Sequence, residues 1–170
     1  MKILVIFDSL YGNTEKIALA IAEGLRHGGE VKVAKVYEVD PQYLNDYNLL
    51  IAGSPTQAGR PTQAFNELFG KIPQTSLKGV AVASFDTGIP AQGKGFFKRL
   101  LLKVLGYAAP HITKALVAKG GRFIKQPEGF LVEDKEGPLL PGEEDRAKSW
   151  GAEIVQIMNN EQANQCLQCS

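Results

Sequence analysis

A doubly wound α/β domain on a five-stranded parallel sheet is the fold this sequence predicts. Short apolar, β-branched runs alternate with helix-period segments along the chain, as expected of a parallel sheet covered on both faces. A small, hydroxyl-rich turn, Phe7-Asp8-Ser9-Leu10-Tyr11-Gly12-Asn13-Thr14, joins the first strand to the first helix. Two further long, turn-rich connections leave the third and fourth strands.

The first strand is the continuous apolar run Ile3-Leu4-Val5-Ile6-Phe7. The helix after it places Ile17, Ile21 and Leu25 on one stripe at a spacing of four and stops at Gly28-Gly29. Further strands are expected at 31–36, 48–53, 79–85 and 121–125, and helices at 62–71, 94–105, 110–119 and 142–159. No internal repeat or Pro/Gly/Ser-rich linker interrupts them. One domain is therefore expected over residues 1–160, followed by an Asn/Gln-rich tail, 161–170, expected to be disordered. The segment from Leu100 to Pro110 is more apolar than one helix on a sheet needs. It reads as a second short helix, a cover over a ligand site, or the contact of a homodimer.

The 170 residues are 44% apolar and 22% charged, ordinary for a globular protein with a sizeable core. A net charge of +1 with scattered Lys and Arg gives no reason to expect nucleic acid or a membrane surface as partner. No apolar run reaches the roughly 18 residues of a membrane span. Met1-Lys2 leads straight into a strand without a cleavage pattern, so the expected location is cytoplasmic.

The first N–H groups of a helix lack intrahelical partners and lie at the positive end of its dipole, so a phosphate satisfies both at once. Ser9 and Thr14 can add hydroxyl donors, and Gly12 removes a Cβ that would hold the backbone away. The same residues also read as an ordinary turn in which Asn13 or Thr14 is a plain N-cap. Ligands of open α/β sheets bind outside the carboxyl ends of the strands, where the strand order reverses. The loops after strands one, three and four therefore carry the function. Those after strands three and four are Gly53-Ser54-Pro55-Thr56-Gln57-Ala58-Gly59-Arg60-Pro61 and Asp86-Thr87-Gly88-Ile89-Pro90-Ala91-Gln92-Gly93-Lys94-Gly95.

These three loops, in this order, resemble those of the flavodoxin family. Ile6 to Thr14, with Ala18 beyond, resembles its phosphate loop, while Gly53-Ser54-Pro55-Thr56 and Asp86-Thr87-Gly88 resemble its two flavin-flanking loops. Pro127 to Val132 and Gly137 to Glu143 are similar to a segment common in flavodoxin-domain proteins of bacteria and archaea, so the likeness spans roughly residues 1–158. The resemblance implies a three-layer sandwich with strand order 2-1-3-4-5 and flavin mononucleotide (FMN) as cofactor. It implies that Ser9, Leu10, Tyr11, Gly12, Asn13 and Thr14 lie at the phosphate, largely without a formal cation. Pro55, Thr56, Gln57, Ala58 and Gly59 would line one side of the isoalloxazine, and Asp86, Thr87 and Gly88 the other. Ala58-Gly59 is the candidate for the family's peptide flip, which turns a carbonyl toward the flavin N5–H on reduction.

The resemblance implies electron transfer to a redox partner protein or a small electron acceptor, with no catalytic side chain and no metal. Well-known flavodoxins tend to sandwich the ring between aromatic side chains and carry a large negative charge. Here Gln57 and its neighbours include no aromatic and the chain is near neutral. Tyr11, Phe85 or Phe96 would have to supply a ring edge, although Phe85 and Phe96-Phe97 also read as core. A flavin-dependent reductase, passing electrons from a nicotinamide donor to a quinone or similar acceptor, is the alternative. A binding or regulatory module that has kept the fold with little or no flavin is a second.

Other signatures are weaker. Phe85-Asp86-Thr87-Gly88 matches the aspartic-protease core motif, but only one copy exists and the parallel pattern is wrong for that all-β fold. Gly88 to Gly95 nearly spells a Walker A loop, yet Gly95 stands where Ser or Thr would reach Mg²⁺, and Pro90 removes an N–H. Lys94 then reads as a solvated lysine or one near an anionic ligand. His27 and His111 have no metal-ligand pattern around them; Cys166 and Cys169 are spaced like a redox or metal pair and read as reduced thiols in the tail, with a disulfide-bonded or metal-bound tail as the alternative.

Overall fold

In the computed structural model, which describes residues 1–90 and 107–168 and the side chains of the last helix as far as residue 164, β1 (Lys2–Phe7) is an interior strand of a parallel sheet. It pairs with β2 (Glu30–Lys35) on one side and β3 (Leu49–Pro55) on the other. Next to β3 come β4 (Ala81–Gly88) and then β5 (Arg122–Phe123), giving the expected order β2-β1-β3-β4-β5.

Because side chains alternate along a strand, β1 feeds two cores. Ile3, Val5 and Phe7 pack with Ile17, Ile21 and Leu25 of α1 (Asn13–Leu25) and with Trp150 and Ile154 of α4 (Glu143–Gln168). Leu4 and Ile6 pack instead with Phe65 and Leu68 of α2 (Gln63–Lys71) and with Ile112 and Leu116 of α3 (Ala108–Ala118). The three-layer sandwich follows. Among the described residues no helix is long and apolar enough to cross a membrane.

The structure departs from the expected elements in three places. The fourth strand continues through Gly88 instead of ending at Phe85: β3 pairs with it as far as Thr87, and a strand absent from the sequence reading, β6 (Glu128–Leu131), pairs with Phe85–Gly88 on the other side. The expected fifth strand at 121–125 shrinks to Arg122–Phe123. The register steps by two residues between the Ala81–Arg122 and Phe85–Glu128 pairs, and Pro127, which has no N–H for the ladder, precedes the second. The last helix runs past its expected end at 159 to Gln168, and an ion pair between Arg122 and Glu161 at 2.7 Å ties its later turns to the sheet. The helix expected at 94–105, with Lys94, Phe96 and Phe97, lies outside the described residues, as do the side chains of Cys166 and Cys169.

Helices α1 and α4 meet at glycines. A Cβ on Gly24 would collide with the Lys148 carbonyl oxygen, and one on Gly151 with the Ile21 carbonyl oxygen. Backbone cannot step aside as a flexible side chain can, so the approach of the two helices requires both glycines. Gly151→Ala is expected to lower unfolding free energy by about 2–3 kcal/mol through overpacking. At Gly70, in α2, nothing lies within 4 Å of an added Cβ, so Gly70→Ala is expected to raise it by about 0.5–1 kcal/mol. Urea unfolding of both variants checks the opposite signs.

Candidate functional site

The first βα turn keeps its backbone donors open. Gly12, with φ of 83°, is the N-cap of α1 and supplies no side-chain acceptor. The N–H groups of Leu10, Tyr11, Gly12, Asn13 and Thr14 have no protein acceptor among the described residues, whereas Glu15 N–H reaches Ser9 Oγ at 3.4 Å. A plain side-chain cap is therefore not what the turn contains. Asn13 and Thr14 already lie in the helix, and their side chains are committed elsewhere. Asn13 Nδ2 donates to Glu136 O at 2.9 Å, and Thr14 Oγ1 shares a hydrogen bond with Thr87 Oγ1 at 2.7 Å.

Thr14 and Thr87 are both buried, so this hydroxyl pair ties the first connection to the end of β4. The loop after β3 is tied to the same place. Thr56 N–H donates to Thr87 O at 2.9 Å, and Thr56 Oγ1 accepts from Ala108 N–H at 3.0 Å. Beyond Thr56 the chain folds into a tight turn in which Gln57 and Arg60 exchange both backbone hydrogen bonds, at 2.9 and 3.0 Å. Both central residues have positive φ, 47° at Ala58 and 79° at Gly59. Glycine takes that conformation freely, whereas Ala58 holds it against strain of roughly 1 kcal/mol. Gln57 and Ala58 are exposed and Gly59 is buried.

One cleft joins these pieces. Leu10, Tyr11, Asn13 and Thr14 line it from the first turn, Pro55 and Thr56 from β3 and its loop, and Thr87, Gly88 and Ile89 from β4 and beyond. Ser9, Gln57, Ala58, Gly59 and Asp86 are not among its lining residues. Two residues that sequence reasoning missed are, namely Val132 and Lys135. They belong to the segment after β6, a strand with no periodic signal of its own. Leu10, Tyr11 and Ile89 are substantially exposed at the rim, and Tyr11 is the aromatic among the described lining residues. Phe85 is wholly buried, edge-on to Phe130 at 6.2 Å, in keeping with its core reading.

Asp86 faces the other side of the sheet. Its Oδ2 accepts from Ala109 N–H at 2.9 Å, so it caps the first turn of α3, whose N-cap residue Tyr107 offers no side-chain acceptor. Oδ1 has no partner among the described residues. Burial raises the Asp86 pKa to about 6, a rise that the Ala109 hydrogen bond restrains and nearby Glu128 reinforces. Ser84, two residues earlier on the same face, serves α3 as well, donating to Ala109 O at 2.7 Å and meeting Thr113 Oγ1 at 2.5 Å. The Asp86 carboxyl is therefore part of the seat of α3 and not of the cleft.

Donors left open among the described residues at the N-terminus of α1, beneath a cleft at the carboxyl ends of β1, β3 and β4, suit a phosphorylated ligand. A family profile described as Flavodoxin matches residues 5–150. The chain belongs to the flavodoxin family. Its members are electron-transfer flavoproteins with FMN as cofactor, and the fold is itself an example of the strand-order rule. A flavodoxin of Clostridium saccharobutylicum is 26% identical over 157 residues, covering 91% of this chain and 96% of the relative. An NAD(P)H dehydrogenase (quinone) of Archaeoglobus fulgidus is 34% identical over 124 residues, covering 55% of this chain and 65% of that protein. The crystal structure of oxidised flavodoxin 1 from Bacillus cereus superposes with a TM-score of 0.72 at 22% identity, covering 92% of this chain and 98% of the other.

The cap on α3 makes this flavodoxin-family chain sensitive to pH. Asp86 titrates at about 6 when folded, against roughly 3.9 when unfolded. Between these values the folded state binds the extra proton, so this contribution is fully present below about pH 4 and is lost as pH rises through about 6. The expected loss is about 2–3 kcal/mol. Asp86→Asn should flatten that part of the profile, seen as a smaller difference between urea midpoints at pH 4.5 and 7.5 than in the parent protein.

Proposed function

We propose that this chain binds FMN in the cleft between the first βα turn and the ends of β3 and β4, and acts as an electron carrier. The observation that carries the reading is the row of five N–H groups from Leu10 to Thr14, at the positive end of α1, that have no protein acceptor among the described residues, an arrangement suited to a phosphate. The bound flavin accepts and releases electrons, and the protein binds, orients and tunes it. Leu10, Tyr11, Gly12, Asn13 and Thr14 hold the phosphate end through backbone N–H. Pro55, Thr56, Thr87 and Gly88 line the cleft toward the ring, and the Gln57–Arg60 turn flanks it. Strain at Ala58 makes the peptide after it the one best placed to reorient. The exposed Leu10, Tyr11 and Ile89 give an apolar rim on which a redox partner protein can dock.

A reductase is the second reading, favoured by the 34% identity to an NAD(P)H dehydrogenase (quinone) over part of the chain. Steady oxidation of NADH or NADPH by purified protein and a quinone supports the reductase; reduction only through a separate flavoprotein reductase supports the carrier. An absorbance spectrum taken during stepwise reduction tests the shared premise. Flavin bands at one FMN per chain are expected, and colourless protein that takes up no added FMN would refute it. Because the Thr14–Thr87 hydroxyl pair fixes the first turn against the end of β4, Thr14→Ala is expected to weaken FMN binding roughly tenfold by loosening the backbone donors of that turn, and to lower unfolding free energy by about 1 kcal/mol as the Thr87 hydroxyl loses its buried partner. Flavin fluorescence titration and urea unfolding measure the two effects.

A further inference from the structure

Beyond β6 the chain makes a hairpin that none of the βα connections requires. Glu133 N–H donates to Pro138 O and Gly137 N–H to Asp134 O, both at 2.9 Å, and a bridge between Val132 and Leu139 joins the arms. This hairpin is seated on the first βα turn. Asn13 Nδ2 holds Glu136 O, and a Cβ at Gly137 would strike the Asn13 side chain. The tip reads Glu133-Asp134-Lys135-Glu136, three carboxylates to one ammonium, yet of the four only Lys135 lines the cleft with Tyr11 and Thr14. It is the one cation among the described lining residues.

We propose that Lys135, carried on a hairpin that Asn13 pins over the first turn, pairs with the cofactor phosphate and makes the site selective for a phosphorylated flavin. The inference rests on the FMN reading above. The α1 dipole and its N–H groups offset only part of a phosphate dianion's charge, and a neighbouring ammonium adds a charge-assisted hydrogen bond. Acidic residues elsewhere on the tip would repel the same phosphate, so the position of the single lysine decides the sign of the hairpin's effect.

Flavin-free protein titrated with FMN and with riboflavin, followed by flavin fluorescence, tests this. Lys135→Gln is expected to weaken FMN roughly tenfold, leave riboflavin unchanged, and reduce the salt dependence of FMN affinity. Lys135→Arg should retain most of the preference, and because Lys135 is exposed, thermal unfolding of flavin-free Lys135→Gln should match the parent. Equal weakening of both flavins, or unchanged FMN affinity, overturns the role of Lys135 while leaving the cofactor reading in place. Parent protein that binds neither flavin overturns both.

Discussion

The reversal of strand order at β1 and β3 is the constraint on which the rest of the molecule depends. From β1 the chain turns outward through α1 to β2, then crosses back to β3 on the far side of β1. Right-handed crossovers then place α1 on one face and α2 on the other, so the connections leaving β1 and β3 diverge and open a crevice between them. Continuous burial of Ile3 to Phe7 makes β1 fit only an interior position covered on both faces. Its alternating side chains bond the two cores to one strand. Everything at the cleft is positioned by where α1 begins, and α1 is held by its close approach to α4 across Gly24 and Gly151.

Around that crevice, buried polar groups do the positioning that apolar packing does elsewhere. Ser54 receives Thr62 N–H at the start of α2, Ser84 and Asp86 engage the first turns of α3, and Thr87 meets Thr14 on α1. Three helices are thus indexed to the ends of β3 and β4 by directional bonds rather than by contact area alone. Buried hydrogen-bonding groups are costly when unmatched, so each such pair resists sliding of a helix along the sheet. Among the described residues, Asp86 departs from this economy with one oxygen unmatched. Burial therefore lifts its pKa to about 6, and below that pH the protonated acid keeps the Ala109 contact without a buried charge.

What could be read from the sequence was what local pattern encodes. Ile17, Ile21 and Leu25 declare α1 by their spacing and all three are fully buried, and the apolar runs of β1 and β3 declare themselves in the same way. The open turn at Ser9 to Thr14 was legible as composition, but not which groups in it were free. Backbone N–H groups remain available there, while the Asn13 and Thr14 side chains are taken by Glu136 and Thr87, residues more than seventy positions away. Asp86 looked like a residue of the cleft because it precedes Thr87 and Gly88. Strand alternation sends Asp86 and Thr87 to opposite faces, and only their pairing with β3 on one side and β6 on the other reveals that these residues are strand at all.

The pairing with β6 depends on a clasp with no local signature. Arg146 on α4 bonds Glu128 Oε1 and Gly129 O, both at 2.5 Å, and Glu143 Oε2 at 2.6 Å, with its guanidinium 4.5 Å from the Phe130 ring centroid. Glu143 in turn accepts from Leu131 N–H at 2.7 Å. Phe130 then fills the core between Phe85 and Trp150, edge-on to each. A strand of four residues, preceded by proline and containing glycine, has little intrinsic tendency to pair. A planar cation that satisfies two carboxylates, a carbonyl and an aromatic face at once can hold it where a lysine could not. Through β6 the clasp also fixes the root of the hairpin that follows, so the alignment of Lys135 over the first turn is set from α4 on one side and from Asn13 on the other. The charge facing the cleft is therefore built by tertiary structure, on a segment whose own sequence is mostly acidic.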